Sequence, residues 1–140
     1  MRLEKTLIKR FILDLFYPNR CPCCDCFINW RKNLCEPCMD KLEVINNDLC
    51  LGCGKAPCKC DNGIKFDKVY ACYYYEGIAA EGIISLKKGN NLNYGIHIGE
   101  QLVKLLQQGE DLSQFDYIVA VPMSKKKIKK RGYNQAEVIA

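Results

Sequence analysis

The sequence predicts a small cysteine-built ribbon followed by an α/β unit, and three observations carry that expectation. Ten of the eleven cysteines lie between Cys21 and Cys60, grouped as closely spaced pairs. Beyond them, residues 69–75 and 116–121 read as strands, and the two stretches between carry apolar residues at helical intervals. The composition, 49% hydrophobic and 26% charged over 140 residues, is that of a globular chain rather than a disordered one, enough for one medium domain or two small ones.

Residues 1–16 place Leu3, Leu7, Ile8, Phe11, Ile12, Leu15 and Phe16 at helical spacing, with Arg2, Glu4, Lys5, Lys9, Arg10 and Asp14 interspersed. The charges break any apolar run of signal-peptide or membrane-span length, so the expectation is a cytoplasmic protein without an integral membrane segment. In a reducing cytosol, clustered C-x-x-C pairs point to metal sites rather than to a disulfide framework.

Cys21-Pro-Cys-Cys24 and Cys35-Glu-Pro-Cys38 form one pair of knuckles; Cys50-Leu-Gly-Cys53 and Cys58-Lys-Cys60 form a second. Zn²⁺ takes four soft ligands in a tetrahedron, and two residues between thiolates let one turn supply two sulfurs while nearby N–H groups bond to them. The expected sites are Cys21, Cys24, Cys35 and Cys38 for the first zinc and Cys50, Cys53, Cys58 and Cys60 for the second, whose C-x-C pair and four-residue loop are tighter. A left-handed residue belongs just after each second cysteine: Gly54 after Cys53, and Asp25 after Cys24. Cys23 and Cys26 form an overlapping pair in another register, which spacing alone leaves open, although Pro22 favours Cys21 and Cys24. Cys72, inside a strand pattern, reads as a small buried hydrophobe.

Asp61-Asn-Gly63 marks the boundary, giving an amino-terminal helix and ribbon over 1–64 and an α/β part over 65–140. Residues 69–75 alternate as a strand; 78–88 and 94–108 are helical, the latter through Ile98, Leu102 and Leu105; 116–121 is a second strand. Two strands with helices between them predict a right-handed crossover in a mostly parallel sheet. The tyrosines 73–75 read as strand aromatics facing a core before they read as base-stacking groups.

The formal charge of +5 comes from 21 basic against 16 acidic residues, and residues 125–131 hold six of the basic ones, so the excess is local. A basic loop after a strand, followed by a helix start at Arg131-Gly-Tyr-Asn-Gln135, suits a phosphate, a pyrophosphate or a nucleic acid; a solvated lysine-rich loop is the plainer reading. Trp30-Arg31-Lys32 is the ribbon's own aromatic and basic cluster.

Taken in order, C-P-x-C, C-x-P-C, C-x-x-C-G, Leu86-Lys87-Lys88-Gly89, Val119-Ala-Val-Pro122 and Arg131-Gly-Tyr-Asn-Gln-Ala136 resemble the ComF family, competence-associated phosphoribosyltransferase-like proteins with an amino-terminal double zinc ribbon. The resemblance implies a type I phosphoribosyltransferase-like parallel sheet, here truncated, with the carboxyl-terminal half missing. It further implies a cytoplasmic role in DNA uptake for natural transformation, with single-stranded DNA and the ComF-operon DNA helicase or translocase as partners. Carried onto this chain, Lys87, Lys125, Lys126, Lys127, Arg131, Gly132, Asn134 and Gln135 would bind pyrophosphate, phosphate or nucleic acid. Met123-Ser124 stands where the family often has Leu-His, and lysines stand for arginines, keeping charge but losing the bidentate fork. An acidic pair followed by a Thr-Thr-Gly-like phosphate loop is absent, so Mg²⁺ with phosphoribosyl pyrophosphate is expected only in an intact homologue. No catalytic residue is assigned. Three functions stand: a ComF-type DNA-uptake protein, a phosphoribosyltransferase of unknown acceptor in its intact form, or a zinc-ribbon interaction module.

Overall fold

A computed structural model describes residues 17–45, 50, 53, 58, 60, 67–89 and 91–140. The amphipathic stretch 1–16, Gly54 and the boundary at 61–63 lie outside the described residues.

The first ribbon is a hairpin closed by an antiparallel bridge between Arg20 and Phe27. Inside it, the Cys21 N–H donates to the Cys26 carbonyl at 2.8 Å and the Asp25 N–H to the Cys21 carbonyl at 2.9 Å. Asp25 takes φ 60°, the left-handed conformation expected after Cys24 and one that aspartate tolerates better than most residues. Cys35 then caps a single helical turn, α1 (Glu36–Met39), whose first turn accepts Pro37 because its first N–H groups need no helical partner. Leu34, Cys35, Cys38 and Leu42 all turn inward.

A second antiparallel bridge, Val44 to Tyr73, ties the end of the ribbon to the chain ahead of the long helices, flanked by Ile45 N–H to Cys72 C=O at 3.0 Å and Tyr74 N–H to Glu43 C=O at 3.2 Å. The expected crossover is not formed among the described residues. The extended residues 69–75 pair with the chain leaving the ribbon, and residues 116–121 pair with nothing, so no sheet forms among the described residues. Hydrophobic alternation identifies a strand but not its neighbour, which depends on contacts far apart in sequence.

Helix α2 (Gly77–Lys88) buries Ala79, Gly82 and Leu86, spaced three and four apart on one face. It ends in Gly89 at φ 81°, with Lys87 and Lys88 in the last turn, where cations complement the helix dipole. Helix α3 (Asn93–Gly109) begins at an Asn91 side chain that accepts the Asn93 N–H at 2.8 Å, and it buries Tyr94, Gly95 and His97. Tyr94 is fully buried over Gly82, where an added Cβ would sit 2.4 Å from the ring, so this crossing requires glycine. Ile98, Leu102 and Leu105 are half-buried, on the expected face.

After a 3-10 turn (Leu112–Gln114), the chain runs extended to α4 (Lys125–Arg131) and α5 (Gln135–Ile139). The basic segment is a helix rather than the expected loop: lysine and arginine are good helix formers, Ser124 stands at the N-cap, and Gly132 at φ 86° ends the turn. Helix α5 starts where Arg-Gly-Tyr-Asn-Gln predicts, with the Asn134 side chain accepting the Ala136 N–H at 3.2 Å. It rests on α3 at Gly95 and Gly99; a Cβ at Gly99 would lie 2.8 Å from the Ile139 carbonyl oxygen.

Candidate metal centre

Two four-thiol clusters form. Cys21, Cys24, Cys35 and Cys38 bring their sulfurs within 4.8 Å of one another, and Cys50, Cys53, Cys58 and Cys60 do the same. Zn–S bonds of about 2.3 Å at tetrahedral angles put bound thiolates about 3.8 Å apart. The sulfur pairs Cys24–Cys35 at 3.6 Å, Cys50–Cys60 at 3.4 Å and Cys53–Cys58 at 3.9 Å sit around that value. Four soft donors with no open position suit a closed structural zinc site, which supplies a covalent-like crosslink rather than a reactive centre.

The first knuckle also supplies the hydrogen bonds that thiolates need. Burial opposes ionisation of Cys21, yet backbone N–H groups of Cys35, Cys23 and Cys24 aimed at its sulfur outweigh burial and lower the thiol below its ordinary value. Cys24 is lowered to about 6, first by the Cys26 backbone N–H. The overlapping pair behaves oppositely: burial pushes Cys23 up to about 12, and the side-chain bond to Cys24 pushes Cys26 up to about 12. Neither belongs to a four-thiol group, and that geometry selects the Cys21 and Cys24 register that Pro22 favours. Burial raises the Cys38 thiol, and the Cys58 side chain raises that of Cys60, so a metal entering either cluster must displace protons.

The surroundings of the two clusters differ. Cys21, Cys35 and Cys38 belong to the hydrophobic core together with Leu34, Leu42, Ala79 and Tyr94, and Cys23 packs against it. The Asn91 side chain donates to the Arg20 carbonyl at 2.7 Å and that of Asn93 to Asn19 Oδ1 at 2.7 Å, fixing the first ribbon to the start of α3. Beneath lies a group that the cysteine and charge patterns do not single out: His97, 4% exposed, with Nε2 2.9 Å from the Tyr73 hydroxyl and its ring stacked on that of Tyr73. Its register three residues after Tyr94 is the signal that could have found it. In the second cluster Cys50 and Cys53 are half-buried and Cys58 and Cys60 exposed.

The other candidate residues fall into three places. Lys127, Arg131, Asn134 and Gln135 line a cleft of about 340 Å³ with Pro122 and Ser124. In it the Arg131 Nη1 donates to Gln135 Oε1 at 3.0 Å, while Asn134 is 3% exposed and spends its amide on the Val121 carbonyl and Glu137, which makes it a positioning residue. Lys125 and Lys126 stand on the exposed surface of α4, and Gly132 is its cap. Lys87 is elsewhere, with its ammonium 5.8 Å from the Tyr75 ring centroid. In the ribbon, Arg31 stacks on Trp30 at 4.6 Å and Lys32 pairs with Glu36 at 2.6 Å. Burial raises the Cys72 thiol, in keeping with a half-buried hydrophobe. No helix among the described residues is long and apolar enough to cross a membrane.

Residues 12–73 match the family model of a double zinc ribbon domain, a span that takes in both thiol quartets. No curated protein and no solved structure matches the chain.

Proposed function

We propose that this zinc-ribbon protein binds single-stranded nucleic acid, in a ComF-type role in DNA uptake beside a DNA helicase or translocase in the cytoplasm. The observation that carries the reading is α4, which presents six cations in seven residues, buries none of its side chains, and meets no acidic partner among the described residues. Such a surface gains affinity by releasing counterions from phosphates, so binding is steeply salt-dependent and tolerant of base sequence. As an interaction module the ribbon offers Trp30, but Arg31 and Lys32 beside it already have intramolecular partners.

A second reading draws on the cleft of Lys127, Arg131 and Gln135, which suits a small anion such as pyrophosphate. It would belong to a phosphoribosyltransferase in an intact relative, where Mg²⁺ would accompany the diphosphate. Fluorescence anisotropy with labelled single-stranded DNA over a salt titration separates the two. Replacing Lys125 and Lys126 by glutamate, both outside the cleft, should weaken DNA binding at least tenfold and flatten the salt slope by about two charges. Unchanged affinity and slope in this variant would end the DNA reading for α4. Pyrophosphate binding abolished only by Lys127→Glu and Arg131→Gln would favour the cleft.

A further inference from the structure

Two basic helix ends that are far apart in sequence meet in the fold. Lys87 and Lys88 close α2, and Lys129, Lys130 and Arg131 close α4. The Tyr133 hydroxyl and the Gln135 amide both donate to the Leu86 carbonyl, and a Cβ on Gly89 would lie 3.0 Å from the Arg131 carbonyl oxygen, so the last turns of the two helices touch. A helix C-terminus carries about half a negative charge, so the two ends together balance about one of these cations. Among the described residues none of the five forms an ion pair with a carboxylate. Bringing like charges together costs free energy, and an anionic ligand offsets it. Beside them stands an aromatic ring. Of the three tyrosines at 73–75, Tyr73 turns to His97 and Tyr74 is half-buried, whereas Tyr75 is 66% exposed, with the Lys87 ammonium 5.8 Å from its ring centroid.

We infer that Tyr75, Lys87 and Lys88 extend the α4 surface into a track for single-stranded DNA, in which the lysines meet phosphates and one unpaired base stacks on Tyr75. The inference rests on the nucleic-acid reading of α4 and adds to it a contact that attraction to phosphate alone does not make. Chemistry selects the occupant. An exposed ring flanked by cations suits a strand that offers both a phosphate and a free base face, whereas a duplex hides its base faces and an acidic peptide has none. Tyr75 thus supplies base contact that tolerates any sequence, because every base has a face to stack, and the two helix ends supply the charge.

Fluorescence anisotropy of the zinc-loaded chain with a labelled oligo-dT of about 12 nucleotides, repeated over a range of salt, tests this. Tyr75→Leu should weaken binding roughly tenfold at an unchanged salt slope, Tyr75→Phe should bind as the parent does, and the loss should vanish on an abasic oligomer of the same length. Lys87→Gln combined with Lys88→Gln should flatten the slope by about 1.4, two phosphate contacts at about 0.7 each. These side chains are exposed, so zinc content and helical circular dichroism should be unchanged. The parent chain should itself hold the abasic oligomer more weakly than oligo-dT, which reads base contact without any substitution. If Tyr75→Leu or the lysine pair binds as the parent does while Lys125→Glu with Lys126→Glu weakens binding, this inference fails and the α4 reading stands; if all three are silent, both fail. A Tyr75→Leu loss that persists on the abasic oligomer, equal affinity of the parent for the two oligomers, or displacement by oligoglutamate as effective as by unlabelled oligo-dT would each overturn it.

Discussion

The two four-thiol clusters share a ligand set and differ in what surrounds it. Three sulfurs of the first are core atoms, in the same apolar cluster as Tyr94 of α3 and Ala79 of α2, whereas the second is half-buried at Cys50 and Cys53 and exposed at Cys58 and Cys60. A metal held by the first would thus be part of the wall on which the helices pack, and one held by the second would sit nearer solvent. The same chemistry carries different structural consequences because thiolate coordination fixes only its ligands, while packing decides how much of the protein moves with them.

The sharpest test of that contrast removes one sulfur from each cluster. Cys38→Ser should cost the first zinc and most of the helical circular dichroism together, since metal affinity worth about 10–16 kcal/mol in small ribbons is folding free energy there. Cys60→Ser should cost one zinc per chain and leave α2 and α3 folded, as read by zinc content and thermal denaturation. Equal losses of helix in both variants would erase the distinction.

A smaller effect probes the contact between the first ribbon's core and the helices. Gly82→Ala places a methyl 2.4 Å from the Tyr94 ring, and overpacking of this kind costs about 1–3 kcal/mol. Denaturant unfolding measures it, and retained stability would mean that Tyr94 has room to shift.

Acid should separate the clusters by degree. Zinc displaces protons from thiols, so its affinity falls as pH falls. Cys21, Cys35 and Cys38 of the first cluster are buried, whereas Cys58 and Cys60 of the second are exposed to solvent and its protons. The second cluster should release its metal at the higher pH, giving two steps with a zinc-binding dye, of which Cys60→Ser removes the earlier.

The smallest expected effect lies at His97, whose burial lowers its pKa below 6.5. Folding holds it neutral, so its contribution is fully present above about 6.5 and is lost as pH falls below that value, at about 1.4 kcal/mol for each unit of depression. Between neutrality and mild acid, His97→Gln should lose less stability than the parent chain, which urea unfolding at several pH values measures.

Both metal quartets were legible because C-x-x-C spacing states ligand geometry locally, and Asp25 was legible as the residue that tolerates a left-handed turn. Helices α2 and α3 and the Asn134 start of α5 followed from periodicity and capping residues, which also act within one or two turns. The helical form of residues 125–131 was available too, since Ser124, a run of good helix formers and Gly132 mark both ends of α4, but their charge reads more readily as a solvated loop. Other features could not be read from local pattern. That Tyr73 bridges to Val44 and that Tyr94 closes over Gly82 are decided by which distant segments meet. The sequence by itself determined the ligands, the helices and the position of the charge, because each is set by neighbours along the chain. Only the tertiary structure decided which thiol cluster joins the core and which distant residues pair, because burial and pairing are shared between segments that no local pattern relates.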